Sequence, residues 1–229
     1  MNMRMLKRCT LDPETVASIA VTDGMADDAV SKLVDAGHEV DMQPTHLDGF
    51  DAVVIRSATI MTAEAIASAP SLKVIGRAGV GVDNIDLDAA TNAGILVCNT
   101  PGSSTQSVVE LTLGHLLASA RHIPKADRDL REGKWSKKAL KGTELSGKRI
   151  GFIGFGRIAQ GVGRVARSMG MELHAFDPYL PAHIADEQNC VLHDDVNDVF
   201  RLCTHIAIHC NLSDETHHLA NAETLALMP

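Results

Sequence analysis

The 229 residues suffice for one large or two ordinary domains, and 45% apolar with 22% charged residues supports buried cores rather than a disordered chain. A net charge of −8 opposes a phosphate-backbone partner, and 3% aromatic residues leave little for base-stacking platforms, so the sequence argues against nucleic-acid binding. No apolar run reaches the roughly 18 residues of a membrane-spanning helix, which argues against a membrane partner, and the N-terminal MNMRMLKRCTLDPETVAS lacks the apolar stretch of a secretory signal.

Residues 1–15, with several early Met residues, read as a loose tail. From Ser18 short apolar runs alternate with amphipathic segments. Ser18–Asp23 reads as a strand, Ala26–Gly37 as a helix stopped by Gly37, His38–Met42 as a strand and Asp51–Ser57 as a strand apolar on both faces. Thr62–Ala69 reads as a short helix, Leu72–Arg77 as a strand, Asp86–Gly94 as a helix and Ile95–Asn99 as a strand. Strands separated by helices of this length imply a parallel sheet covered on both faces, so residues 16–100 form one doubly wound unit of flavodoxin type.

Ser103–Arg121 reads as a long helix. Val108, Val109, Leu111, Leu113, Leu116 and Leu117 cover much of its circumference, which points to burial between domains or between subunits, the second of which would make the chain a homodimer. A polar segment with Arg128, Arg131, Lys134 and Trp135 follows, and Lys141–Lys148 reads as a connecting loop. A second doubly wound unit, residues 101–229, has strands at Arg149–Ile153, Glu172–Phe176, Cys190–His193 and His205–Cys210, with helices at Arg157–Met169, Asp194–Cys203 and Ala222–Met228. Four strands against the roughly six of a complete Rossmann fold imply an incomplete domain with one sheet edge uncovered. The five cysteines form no C-x-x-C pair, and Cys98, Cys203 and Cys210 lie in or beside apolar stretches. They read as buried thiols of a cytoplasmic protein.

The stretch from Gly147 to Tyr179 carries the chemistry. Gly154 permits a tight turn after the strand, and Gly156 lets the backbone approach a pyrophosphate at the N-terminus of the following helix, where free N–H groups and the helix dipole favour an anion. The third fingerprint position is Ala159, which keeps the close helix–strand packing required there. Asp177 ends the second strand, where a carboxylate can accept both ribose hydroxyls. That acid repels a 2′-phosphate, and Pro178-Tyr179 supply no Arg to neutralise one, so the cofactor reads as NAD rather than NADP.

These residues carry a resemblance that covers nearly all of the chain from Ala17 onwards. Val53–Thr59, Leu72–Thr91, Val97–Arg121, Lys141–Ala159 and Ala175–Tyr179 resemble the NAD-dependent D-isomer-specific 2-hydroxyacid dehydrogenases, and most of all their D-3-phosphoglycerate dehydrogenase branch. GRAGVGVDNID and the run around Asn99–Gly102 are more specific to that branch than the glycines are. The resemblance implies that the first unit binds substrate, that the second binds NAD, and that reaction occurs between them.

By position, the resemblance places Arg56 and Ser57 at the substrate's far end, a phosphate in that branch. An Arg at a strand end suits this role because its planar fork grips an anion at two points. It places the Gly79-Val80-Gly81 amides at the substrate carboxylate, with Val80 also touching the nicotinamide, and Ser104 at the substrate where the branch usually has Asn. Arg157 and Ile158 would cap the pyrophosphate, and His209 and Cys210, with Asn211, would line the adenine. The branch carries its catalytic Arg, carboxylate and His in segments expected beyond Pro229, and none of the eleven His here is a credible substitute. The implied activity is oxidation of D-3-phosphoglycerate with NAD in serine biosynthesis. The alternatives are a reductase of hydroxypyruvate or glyoxylate and, from another class, a non-catalytic NAD-binding or oligomerising module.

Overall fold

The computed structural model describes residues 16–229, so the N-terminal tail and Cys9 lie outside the described residues. The chain divides into two compact units between Pro101 and Gly102.

The first unit is a five-stranded parallel sheet in the order β2-β1-β3-β4-β5. Its strands are β1 (Ser18–Val21), β2 (Glu39–Met42), β3 (Ala52–Ile55), β4 (Val74–Arg77) and β5 (Leu96–Asn99). The connections contain α1 (Asp27–Asp35), α2 (Ala63–Ala67) and α3 (Leu87–Asn92). This is the flavodoxin-type strand order, with its switch point between β1 and β3. The central strands are apolar because both faces are covered: Ala20, Val53, Ile55 and Ile75 are fully buried, with Val53 beside Ile75 in register. Met61, Ile66, Leu72 and Ile85 complete the core. Thr62 and Asp86 cap α2 and α3 by accepting from the Ala65 and Ala89 amides, which starts both helices cleanly.

The second unit is a four-stranded parallel sheet in the order β8-β7-β6-β9. It consists of β6 (Arg149–Ile153), β7 (Glu172–Phe176), β8 (Cys190–His193) and β9 (His205–Ile208). Its helices are α4 (Thr105–Ala120), α5 (Ile123–Arg131), α6 (Arg157–Ser168), α7 (Ala182–Glu187), α8 (Val196–Leu202) and α9 (Ala222–Leu225), with a 3-10 turn at Lys137–Leu140. Phe152, Phe155, Ala159, Val162, Ala166 and Ala175 form its dry centre. α6 lies flat on α4 because Gly161 has no Cβ; one built there would sit 2.6 Å from Val109 Cγ2.

Three sequence expectations change. α7 forms between β7 and β8 where no helix is expected, and α5 forms where a polar segment is expected. His122, in a left-handed conformation at φ 55°, ends one helical run and starts another, Pro124 sits in the first turn, and Lys125–Asp129 and Asp127–Arg131 pair one turn apart. Within the chain α4 buries Val109 and Ala120, while Leu111 is 60% and Leu117 40% exposed, a surface that the expected burial between subunits would cover. Cys98 is exposed, because it lies on the edge strand β5, whereas Cys190 and Cys203 are buried and Cys210 is half-buried. Burial pushes the Cys190 and Cys203 thiols up to about 12, which makes them unreactive.

Candidate functional site

In the second unit the expected cofactor residues converge at the C-terminal ends of β6, β7 and β9. β6 lies between β7 and β9, so this is the point where strand order reverses and a crevice opens. Gly154 is held at φ 80°, and a Cβ there would lie 2.8 Å from the Cys210 backbone nitrogen and Cα. Both conformation and space therefore require glycine. Phe155 turns inward and is fully buried against Phe152, with ring centroids 5.4 Å apart.

Gly156 is different. Its φ is −73°, which any residue adopts, and a Cβ built there meets nothing within 4 Å. The protein itself gives no reason for glycine at this position, whereas a pyrophosphate lying against the turn does. Arg157, exposed, and Ile158, half-buried, open α6, and no side chain among the described residues caps that helix. Its first amides are therefore free for an anion.

Asp177 follows β7 and closes the turn: Oδ2 accepts from the Phe155 amide at 2.9 Å and Oδ1 from the Tyr179 amide at 3.0 Å. Gln160 Nε2 donates to the Phe155 carbonyl at 2.9 Å from the helix side. The turn is thus built before any ligand arrives. His209 donates its amide to Ile153 across the strand ends, while its ring stacks on Phe152 at 6.4 Å. The ring Nε2 is buried with no partner among the described residues, and burial lowers the imidazole's pKa. A neutral ring with one unused nitrogen suits a base edge better than a phosphate. Burial raises the Cys210 thiol. An open cradle at Gly156, free helix amides and an orphaned ring nitrogen at His209 together fit a dinucleotide.

In the first unit, Arg56 and Ser57 follow β3 and are exposed. Gly79, Val80 and Gly81 follow β4, with their carbonyl side tied down. Thr100 donates its amide to Gly79 at 2.9 Å, and Asn99 Nδ2 donates to Val80 at 2.7 Å. The Val80 and Gly81 amides donate to no described residue, which leaves N–H groups for an anion. Ser104 precedes α4 and makes no capping bond through its side chain.

Three residues escaped the sequence reading. The Arg77 guanidinium lies over Gly79, its Nη1 donating to the Ala78 carbonyl at 3.4 Å and its buried Nε unpartnered among the described residues. Asp23 and Asn84 bind the main chain around Arg56. The strand-end position of Arg77 was a usable signal; for Asp23 and Asn84 there was none.

Residues 113–229 match the family described as D-isomer specific 2-hydroxyacid dehydrogenase, NAD binding domain. The chain is 42% identical over 221 residues to D-3-phosphoglycerate dehydrogenase of Methanocaldococcus jannaschii, covering 93% of this chain and 42% of that protein. It is 47% identical over 178 residues to hydroxypyruvate reductase of Thermotoga maritima, covering 78% of this chain and 57% of that protein. The chain thus spans about half the length of these relatives. Its fold matches the NAD+-bound 3-phosphoglycerate dehydrogenase of Entamoeba histolytica with a TM-score of 0.76 and 28% identity, over 94% of this chain and 69% of that one.

Proposed function

The chain belongs to the D-isomer specific 2-hydroxyacid dehydrogenases, and from that membership we propose that it carries the substrate and cofactor sites of an oxidoreductase acting on D-3-phosphoglycerate, in serine biosynthesis. The cofactor is NAD. The observation that carries the reading is the Asp177 carboxylate, bonded to the Phe155 amide inside the glycine turn and so fixed where an adenosine ribose reaches the end of β7. NAD held here would supply the hydride acceptor, and the residues described bind and orient it.

On this reading residues 16–100 hold the substrate and 101–229 the cofactor. Gly156 and the Arg157 and Ile158 amides receive the pyrophosphate, Asp177 the ribose, and His209 and Cys210 the adenine. Val80 meets the nicotinamide, and the Val80 and Gly81 amides, in the loop opened by Gly79, take the substrate carboxylate. Arg56 and Ser57 take the phosphate, and Ser104 lends a hydroxyl. The exposed Leu111 and Leu117 of α4 suit a homodimer contact, and the buried thiols Cys190 and Cys203 suit a reducing cytoplasm.

A second reading, reduction of hydroxypyruvate, is favoured by the similarity to the Thermotoga maritima reductase. Steady-state rates of the intact gene product on D-3-phosphoglycerate, hydroxypyruvate and glyoxylate separate the two. The proposal expects a preference for the phosphorylated substrate. Arg56→Ala should then raise its KM roughly tenfold or more, the scale of one lost charge-assisted bond of about 1.5–3 kcal/mol, without moving the KM for hydroxypyruvate. Equal use of both substrates would reject the phosphoglycerate reading.

A further inference from the structure

We infer that Asp23 and Asn84 are positioning residues for the Arg56–Thr59 loop: they grip its main chain from two sides and deliver the Arg56 guanidinium on a backbone that is already set. The inference rests on the substrate role proposed for Arg56.

The two grips are reciprocal. Asp23 Oδ2 accepts from the Arg56 amide at 2.6 Å and from the Thr59 amide at 3.0 Å. Asn84 Nδ2 donates to the Arg56 carbonyl at 2.8 Å and to the Thr59 carbonyl at 2.7 Å. Both peptide groups at each end of the four-residue loop are therefore taken, and Ser57 and Ala58 are held between fixed points. The Thr59 hydroxyl adds a third tie, lying 2.7 Å from Thr22 Oγ1 and against Asp23 Oδ1.

The grips are themselves anchored. Asp23 follows β1 and Arg56 follows β3, neighbouring strands whose ends flank the switch point of this sheet. Asn84 is held through its own carbonyl, which accepts from the Met61 amide at 2.8 Å, next to the bridge between Met61 and Ile85. Asn84 also lies three residues after Gly81, so one side chain ties the Arg56 loop to the segment that carries the free Val80 and Gly81 amides. No ion pair joins Asp23 to the Arg56 guanidinium among the described residues, so the clamp spends the acid on backbone donors and leaves the cation for a ligand. Burial pushes the Asp23 carboxyl up, but hydrogen bonds from Thr59, Arg56 and Ala58 outweigh it and hold the group below the usual carboxylate range. Fixing a loop residue costs conformational entropy, and a loop ordered during folding no longer meets that cost when it binds.

The test titrates D-3-phosphoglycerate into the chain and reads the Arg56 side-chain Nε–H and the Ser57 amide by NMR. Wild type should saturate. Asp23→Ala should weaken binding at least tenfold, with Asp23→Asn recovering part of the loss because its carbonyl still accepts from an amide. In an Arg56→Ala background Asp23→Ala should cost clearly less than in the wild type, because only the placement of Ser57 is then left to lose. Thr59→Val keeps the side-chain shape and removes the hydroxyl; it should weaken binding about threefold or more, and it carries the test if Asp23→Ala loses the core resonances of Val53 and Ile75. If wild type titrates while Asp23→Ala and Thr59→Val, both folded, bind within twofold of it, the positioning role is overturned and the substrate reading stands. If neither Arg56 nor Ser57 responds in wild type, the substrate role itself fails and takes this inference with it.

Discussion

Gly154 and Gly156 stand two positions apart and are glycine for different reasons. At Gly154 the left-handed backbone and the Cys210 backbone 2.8 Å from a built Cβ make glycine a condition of folding. Gly154→Ala should lower the stability of its unit by about 1–3 kcal/mol in a urea titration. Gly156→Ala should leave that midpoint unchanged, since its φ is ordinary and the space is open, yet weaken NAD by tenfold or more; loss of stability instead would mean a structural glycine. On the proposed role, Asp177→Ser removes the two-oxygen carboxylate offered to a ribose and the charge that would repel a 2′-phosphate, so the ratio of NADP to NAD affinity should rise, as a fluorescence titration would show. Gly154, Gly156 and Asp177 could be picked out in the sequence because they stand at a fixed local spacing, although the chain's own geometry requires glycine only at Gly154. Asp23 and Asn84 were not, because their partners lie 33 and 28 positions away in the chain, across separate strands, and no local pattern marks them.

Among the elements, α6 shows how small residues set a packing distance. Gly161→Ala should cost about 1–3 kcal/mol by forcing α4 away, and adding Val109→Ala, which removes the atom 2.6 Å from the new Cβ, should return part of that loss. Simple additivity of the two changes in urea midpoints would contradict close contact of α4 and α6. Most strands were readable because buried parallel strands are near-continuous apolar runs, and those among the described residues lie within the expected segments, three of them with the same ends. α5 was unreadable for a related reason. It holds few apolar positions, and its support comes from ion pairs, Pro124 in its first turn and the left-handed His122, none of which produces a hydrophobic period. Apolar residues around α4 mark capacity for burial: within the unit one side of it meets α6, while Leu111 and Leu117 stay exposed.

Across the whole molecule, pH should act through imidazoles held neutral. His174 is buried on β7, with Nδ1 2.9 Å from His193 Nε2. Its pKa is lowered by burial and then by His193 and Arg149, against a smaller opposite effect of Glu172. His205 and His209 are also lowered, chiefly by burial. A depressed folded pKa means that the folded unit refuses protons the unfolded chain accepts. Stability is therefore full above the ordinary value of 6.5 and falls as pH drops from there towards the folded pKa. The urea midpoint should be lower at pH 5.5 than at pH 7.5, and His174→Val should shrink the difference; equal midpoints would contradict it. Calorimetric titration of NAD and NADP into the chain shows whether the turn from Gly154 to Asp177 is a ready-made NAD site. One NAD per chain, NADP weaker by at least tenfold, and loss of NAD binding in folded Gly156→Val are expected. Equal affinity for the two cofactors, or undiminished binding in that variant, would contradict it.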